Sequence, residues 1–209
     1  MKLYLGVIFC AILLISGLNI LLNPMVANIS AVWVIITVVL AVVLEIVLDA
    51  IVAAIIHAFP NKYFEMQNKM YDVSKKERKF YDKLNIKLWK DKVWELGALG
   101  GFRKNKINDP NNPNYIKQFI YESNKGVAIH LVSLPVGFLI MLFPLPKYFL
   151  VIGLPIALVN LFLNGLSTMV LRYNIPKLKV AFLRAEKLAK AEKETKEINI
   201  EENKKSATI

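Results

Sequence analysis

The side chains in this sequence that could do chemistry are few, and they sit where polar groups are expensive. Glu45 and Asp49 fall one helical turn apart within a long apolar run, and His57 follows two turns beyond Asp49. Glu122 precedes His130 by eight residues at the start of another apolar run. Asn160 and Asn164 are one turn apart in the last, and Arg172 closes it. Each such group costs free energy in hydrocarbon, so it marks either a bond between helices or a working site. Paired carboxylates suit ion or proton coupling. A His with a carboxylate suits general-base work, and Asn or Arg can donate to a developing oxyanion. For Glu45 and Asp49 a purely structural role weighs as much as a functional one. His57, close to Pro60, reads first as an end cap or headgroup contact. At about 1.5 Å per residue, Asn164 lies about 12 Å inside Arg172, and Glu45 about 18 Å inside His57. Those depths predict a polar cavity opening toward one face of a membrane.

The elements that must position these groups follow from where the apolar residues lie. The chain has 209 residues, 56% of them hydrophobic, with 27 Lys and Arg and a net charge of +11. Hydrophobicity and charge occupy separate blocks. About 20 apolar residues in a helix cross the hydrocarbon core, so the blocks predict spans at 4–22, 31–56, 127–145 and 149–171. The second is rich in Val and Ile but far too long for a strand. The predicted fold is all-α: a polytopic membrane protein with four transmembrane helices and amphipathic interfacial helices on the cytoplasmic side. Its segments are an amino-terminal transmembrane hairpin (1–60), an interfacial helical segment (61–126), a second hairpin (127–171) and a basic cytoplasmic tail (172–209). Pro24 breaks the first linker, over 23–30.

The interfacial segment reads as helical through about Trp94, with Trp89 and Trp94 among lysines, as suits helices at lipid headgroups. Gly97, Gly100 and Gly101 break it, and Pro110 and Pro113 mark a loop over 108–114. Helix resumes near Tyr115, Pro144 and Pro146 separate the last two spans, and the tail past Lys190 reads as solvated helix. Pro135 and Pro155 read as kinks. The two short outer loops carry only Lys147, while the central segment and tail carry nearly all the Lys and Arg. Both termini are therefore expected in the cytoplasm, in the cell membrane. The Met1-Lys2 start reads as a retained helix rather than a cleaved signal.

Several classes are excluded. The single cysteine, Cys10, rules out a disulfide framework, and no Cys/His cluster has metal-binding spacing. The basic charge is placed for an interface with membrane lipids, so no nucleic acid is expected. There is no phosphate-cradling Gly-rich loop with its Lys, no G-x-S-x-G elbow and no H-E-x-x-H helix. Lys62 stands five residues after His57, where an HxxxxD acyltransferase would have Asp.

An ordered set of short motifs resembles one family. Pro60-Asn61-Lys62-Tyr63-Phe64 is followed by Leu88-Trp89-Lys90-Asp91-Lys92, then Glu122, Lys125, His130 and Ser133-Leu134-Pro135. Asn164 comes next, and eight residues later Arg172-Tyr173-Asn174-Ile175-Pro176-Lys177-Leu178. Over about 55–185 this resembles the glycosyl-4,4'-diaponeurosporenoate acyltransferases, small membrane enzymes. The resemblance implies transfer of a fatty acyl group to a sugar hydroxyl of a glycosylated isoprenoid, the last step of a C30 carotenoid pathway. Lys125 and Val127 stand where the family pattern has Arg and a second Glu, and the first span is extra.

On that reading His130 is the general base and Glu122 fixes its tautomer or supports its charge. Asn164 and Arg172, with Tyr173 and Asn174 beside them, donate to the substrate carbonyl, and Trp89, Lys90 and Lys92 hold headgroup or donor phosphates. No bound cofactor is expected. The co-substrate is acyl-CoA or another acyl donor, and the partner a glycosylated lipid acceptor. Two other classes remain: a small ion-coupled transporter working through Glu45 and Asp49, and a non-catalytic lipid-binding membrane subunit.

Overall fold

The computed structural model describes residues 2–26, 30–93, 107–144 and 148–206. The expected breaks at Gly97, Gly100, Gly101 and Pro146, the Trp94 ring, Lys147 and the centre of the first linker lie outside them. Among the described residues every regular element is helical. Helices α1 (Lys2–Val26), α2 (Ala31–Ala58), α5 (Pro113–Val136) and α6 (Leu154–Ser206) are the long ones. Short α3 (Lys75–Lys83) and α4 (Ile86–Trp89) lie between α2 and α5. Four stretches are long and apolar enough to cross a membrane, the last two being Pro113–Leu142 and Phe149–Ile200.

Helical backbone satisfies its own hydrogen bonds, which is why these Val- and Ile-rich runs are helices in an apolar setting. Their outer faces carry exposed Leu5, Leu14, Leu21, Val43, Val47 and Ile51, the surface lipid would cover. The inner faces of α1, α2 and the outer end of the second hairpin pack through Ile15, Val38, Ala41, Ile140, Ile152 and Ile156. Toward the other end, Phe64, Tyr71, Val127, Leu171 and Ile175 form a second cluster.

Several local features differ from the expectation. Helix α1 runs on through Pro24 to Val26. The third span is not one regular helix: after Pro135 the α-helix ends and the chain tightens into a 3-10 helix, Gly137–Leu142. The fourth opens on a π turn, Phe149–Gly153, before α6 begins, and Pro155 falls in the first turn of α6, where a missing N–H costs little. Asn19 of α1 donates to the Val151 carbonyl in that π turn at 2.7 Å, satisfying backbone at membrane depth. Asn19 is an intramembrane polar group that charge-based scanning passes over.

The interfacial segment is less helical than its sequence suggests. It is a series of short pieces: 3-10 turns at Asn61–Phe64, Lys69–Tyr71 and Lys90–Lys92, with α3 and α4 between. Too short to be stable alone, they are held by side chains of α5 and α6. Asn124 donates to the carbonyls of Phe64 (2.9 Å) and Glu65 (3.3 Å), and Tyr121 donates to Asn61 Oδ1. Lys179 pairs with Asp72 at 2.6 Å. The segment is thus a cap folded onto the first half of α5 and the middle of α6. Helix α6 then continues without a break past Pro176 to Ser206, exposed over 191–200.

Candidate active site within the helical bundle

Three helices bring the expected site residues together in part. The His130 Nδ1 lies 2.7 Å from Asn164 Oδ1, joining α5 to α6. Asn164 Nδ2 donates to Asp49 Oδ2 of α2 at 3.2 Å and to Asn160 Oδ1 at 2.6 Å. The direction of this network is set by chemistry. A carboxylate only accepts, so the Asn164 amide nitrogen must face Asp49, and its oxygen then faces His130. The ring must therefore donate from Nδ1. In the neutral imidazole that leaves the lone pair on Nε2, the form a general base requires. Thr168 Oγ1 donates to the Asn164 carbonyl at 2.9 Å, one turn further along α6.

Glu45 and Asn160 lie one turn deeper, both buried. They close on Gly137, where the 3-10 helix of the third span crosses α2 and α6. A Cβ placed on Gly137 would stand 2.6 Å from Glu45 Oε1 and would overlap the Asn160 amide. The missing side chain is what admits these two groups. The Glu45 carboxylate and the Asn160 amide face one another here, while Asp49 Oδ1 has no hydrogen-bond partner among the described residues. Glu45, Asp49 and Asn160 also form the polar end of a cavity of about 410 Å3 between α1, α2 and α6, its open mouth included.

Other candidates sit elsewhere. His57 is exposed in the last turn of α2, away from the buried face that holds Glu45. Glu122 accepts from Gln118 Nε2 at 2.8 Å, one turn back along α5. The carboxylate joined to the His130 network is Asp49, through Asn164. Arg172 is engaged within the chain: Nε and Nη2 reach the two Glu77 oxygens at 2.5 and 2.8 Å. Nη1 and Nη2 also donate to the carbonyls of Met70 (3.3 Å) and Asp72 (3.0 Å). This two-pronged geometry, not a loose surface pair, ties the cap to α6. The hydrogen bond from Arg172 holds the Glu77 carboxyl below the ordinary carboxylate range, against the opposing effect of burial. Tyr81, which donates to Glu77, is pushed above the ordinary phenol range by burial and then by that carboxylate.

Tyr173 packs edge-on to Tyr81, their rings 6.3 Å apart, with the Lys177 ammonium over its outer face. Asn174 is half-buried on the same turn. Trp89 flanks this cluster and donates to the Leu84 carbonyl at 3.0 Å. Lys90 pairs with Asp91, and Lys92 is exposed. Lys125 is 8% exposed and lies over the Tyr121 and Phe64 rings at 4.6 and 5.6 Å. Val127 is fully buried against Phe64 and Leu171, so apolar packing fills the position where the family pattern has a carboxylate.

Glu77 was the missed partner of Arg172. Its signal was present, because Ser74 and Glu77 form the S-x-x-E start of a helix, with Ser74 Oγ accepting from the Glu77 amide at 3.1 Å. Gly137 carried no such signal.

Four helices long and apolar enough to cross a membrane, joined through a part-buried histidine and its polar partners under a cap of short basic helices, define an all-α polytopic membrane protein. The profile described as CrtO, glycosyl-4,4'-diaponeurosporenoate acyltransferase, matches residues 60–184, and the chain belongs to that family. It is accordingly an acyltransferase of the carotenoid-glycoside type, using an acyl donor and a glycosylated acceptor. Neither a comparison with curated proteins nor one with solved structures gives a match. The matched stretch contains His130, Asn164 and Arg172. Helices α1 and α2, with Glu45 and Asp49, lie before it.

Proposed function

We propose that this protein moves a fatty acyl group from a thioester donor to a sugar hydroxyl of a glycosylated isoprenoid at the cytoplasmic face of the cell membrane, with His130 as general base. The observation that carries this reading is the His130–Asn164–Asp49 network across α5, α6 and α2. Asn164 holds the ring with Nδ1 protonated. Nε2 takes the proton from the sugar hydroxyl as its oxygen attacks the thioester carbonyl carbon. The carbonyl pair moves to oxygen, then returns as the carbon–sulfur bond breaks. His130 gives its proton to the departing thiolate, and the products are an ester and a free thiol. Asp49, two hydrogen bonds from the ring, favours the imidazolium formed midway.

Arg172 serves here to hold the cap rather than the substrate, because four of its five N–H donors go to Glu77 and two carbonyls. Tyr173 and Asn174 border the same surface. Trp89, Lys90 and Lys92 lie on the cap with Lys87, where donor phosphates or anionic headgroups would meet them. Glu122, half-exposed one helical turn before Lys125, is placed to meet the acceptor sugar.

The test is mass spectrometry of lipids from cells fed an isotopically labelled fatty acid and making the acceptor glycoside, with wild-type or His130→Ala protein. A labelled acyl glycolipid from the wild type, reduced by about 10²–10⁴-fold in the variant, supports the assignment. Full product from a correctly inserted His130→Ala protein ends it. The buried Glu45 carboxylate within an apolar span is the observation favouring a second, carrier reading. That reading requires Glu45→Gln to abolish uptake of an ion or solute while leaving the acyl glycolipid unchanged.

A further inference from the structure

We infer that the cavity between α1, α2 and α6 is the site of the donor's acyl tail, and that α1 measures its length. The inference rests on the acyl-transfer reading above and goes beyond it to the substrate. Its apolar walls are Ile8, Ala11 and Ile15 of α1, Val42 of α2, and Val159 and Leu163 of α6. With Tyr4 at the head of the same stripe, the α1 residues fall at four-, three- and four-residue steps, one face of a helix. From Tyr4 to Ile15 that face is about 16 Å long.

Two observations point to a ligand rather than to loose packing. The polar end is shared with the candidate active site: Asp49 lines the cavity and also accepts from Asn164, the partner of His130. That end also holds Glu45, 5% exposed, with the Asn160 side chain beside it where both close on Gly137. A tail lying along α1 would bring its carboxyl-derived end to these groups. The occupant is a saturated, flexible chain. A stiff conjugated acceptor tail of thirty carbons is longer than the cavity and cannot coil into it.

The experiment has two arms on purified full-length protein in lipid vesicles. In the first, an acyl-CoA carrying a diazirine at its terminal carbon is photolysed and the labelled residues are mapped. In the second, acyl-CoAs from decanoyl to stearoyl compete as donors to glycosyl-4,4'-diaponeurosporenoate. Label is expected on Ile8, Ala11 or Ile15, suppressed by unlabelled acyl-CoA. Ala11→Leu should lower the ratio of long- to short-chain product by roughly tenfold for each methylene excluded. Ile8→Ala should raise that ratio, and Leu14→Phe, on the lipid face of α1, should leave it alone.

Label confined to lipid-facing positions, or unchanged ratios in both cavity variants, overturns the inference while leaving acyl transfer standing. Label suppressed by the acceptor instead of by acyl-CoA also overturns it, since the occupant is then the polyene. If the wild type transfers no donor, the proposed reaction fails and the first arm alone decides: competed label on α1 supports a tail site, and its absence ends it.

Discussion

At the scale of single residues, Asn164 carries more than its chemistry suggests, because it has no charge and yet orients both partners. Its amide oxygen receives His130 and its nitrogen serves Asp49 and Asn160, so exchanging those two atoms would set oxygen against oxygen at both Asp49 and Asn160. Asn164→Asp replaces the nitrogen by a second carboxylate oxygen facing Asp49, and like charges at that distance repel. We expect Asn164→Asp to lower the acyl-transfer rate at least as far as Asn164→Ala does, measured as labelled product at saturating donor. A faster Asn164→Asp would mean that the Asp49 contact is incidental. The Glu77–Arg172 clamp gives a pH dependence. Glu77 titrates lower in the folded chain than its ordinary 4.5, so the unfolded chain binds the proton first. The clamp's stabilisation is therefore complete above about pH 4.5 and is lost as pH falls through the lower folded value. Glu77→Gln should cost about 2 kcal/mol near neutrality, read by thermal unfolding in detergent. The gap to wild type should close as the sample is acidified; a constant gap contradicts the assignment.

At the scale of elements, the third and fourth spans meet at two glycines that act in different ways. A Cβ on Gly153 would stand 2.7 Å from the Met141 Cα, which is backbone and cannot rotate away. Gly153→Ala should destabilise the second hairpin by roughly 1–3 kcal/mol, the usual cost of overpacking. At Gly137 the obstacles are the Glu45 and Asn160 side chains, so Gly137→Ala should displace the polar end of the cavity and impair turnover more than stability. Gly165 has nothing within 4 Å of a built Cβ. Gly165→Ala should then be neutral or stabilise α6 by up to about 1 kcal/mol, the helix preference of Ala over Gly. Measured melting temperatures in one detergent would order the three, and a Gly153→Ala protein as stable as wild type would refute the packing argument.

For the whole molecule, the cap and the long exposed end of α6 lie at the same end of the bundle as Arg172, and together they are rich in Lys. By the positive-inside rule, that asymmetry supports the proposal that both termini face the cytoplasm. Cys10 is the only cysteine in the sequence, so a Cys10→Ser background carrying Lys193→Cys reports the tail alone. A membrane-impermeant maleimide should label it only after permeabilisation. Labelling in intact cells would invert the topology and move the donor site to the outer face.

Much of this architecture was legible before any coordinate. Four apolar runs, each long enough to cross hydrocarbon, dictate helices and their order, because unpaired backbone in lipid is too costly to allow anything else. His130, Asn164, Arg172 and Asp49 could be picked out for the same reason: a polar side chain in an apolar run is conspicuous. Their pairing was not legible. Spacing along one helix suggested Glu122 for His130, but α5 turns Glu122 toward Gln118, and the partner came from α6, 34 residues on. Likewise Arg172 found Glu77, 95 residues away. The cavity against α1 and the space at Gly137 exist only once four helices are packed. Local periodicity reports which face of a helix is polar, whereas the neighbour that face meets depends on how helices distant in the chain cross, and that is decided by tertiary packing alone.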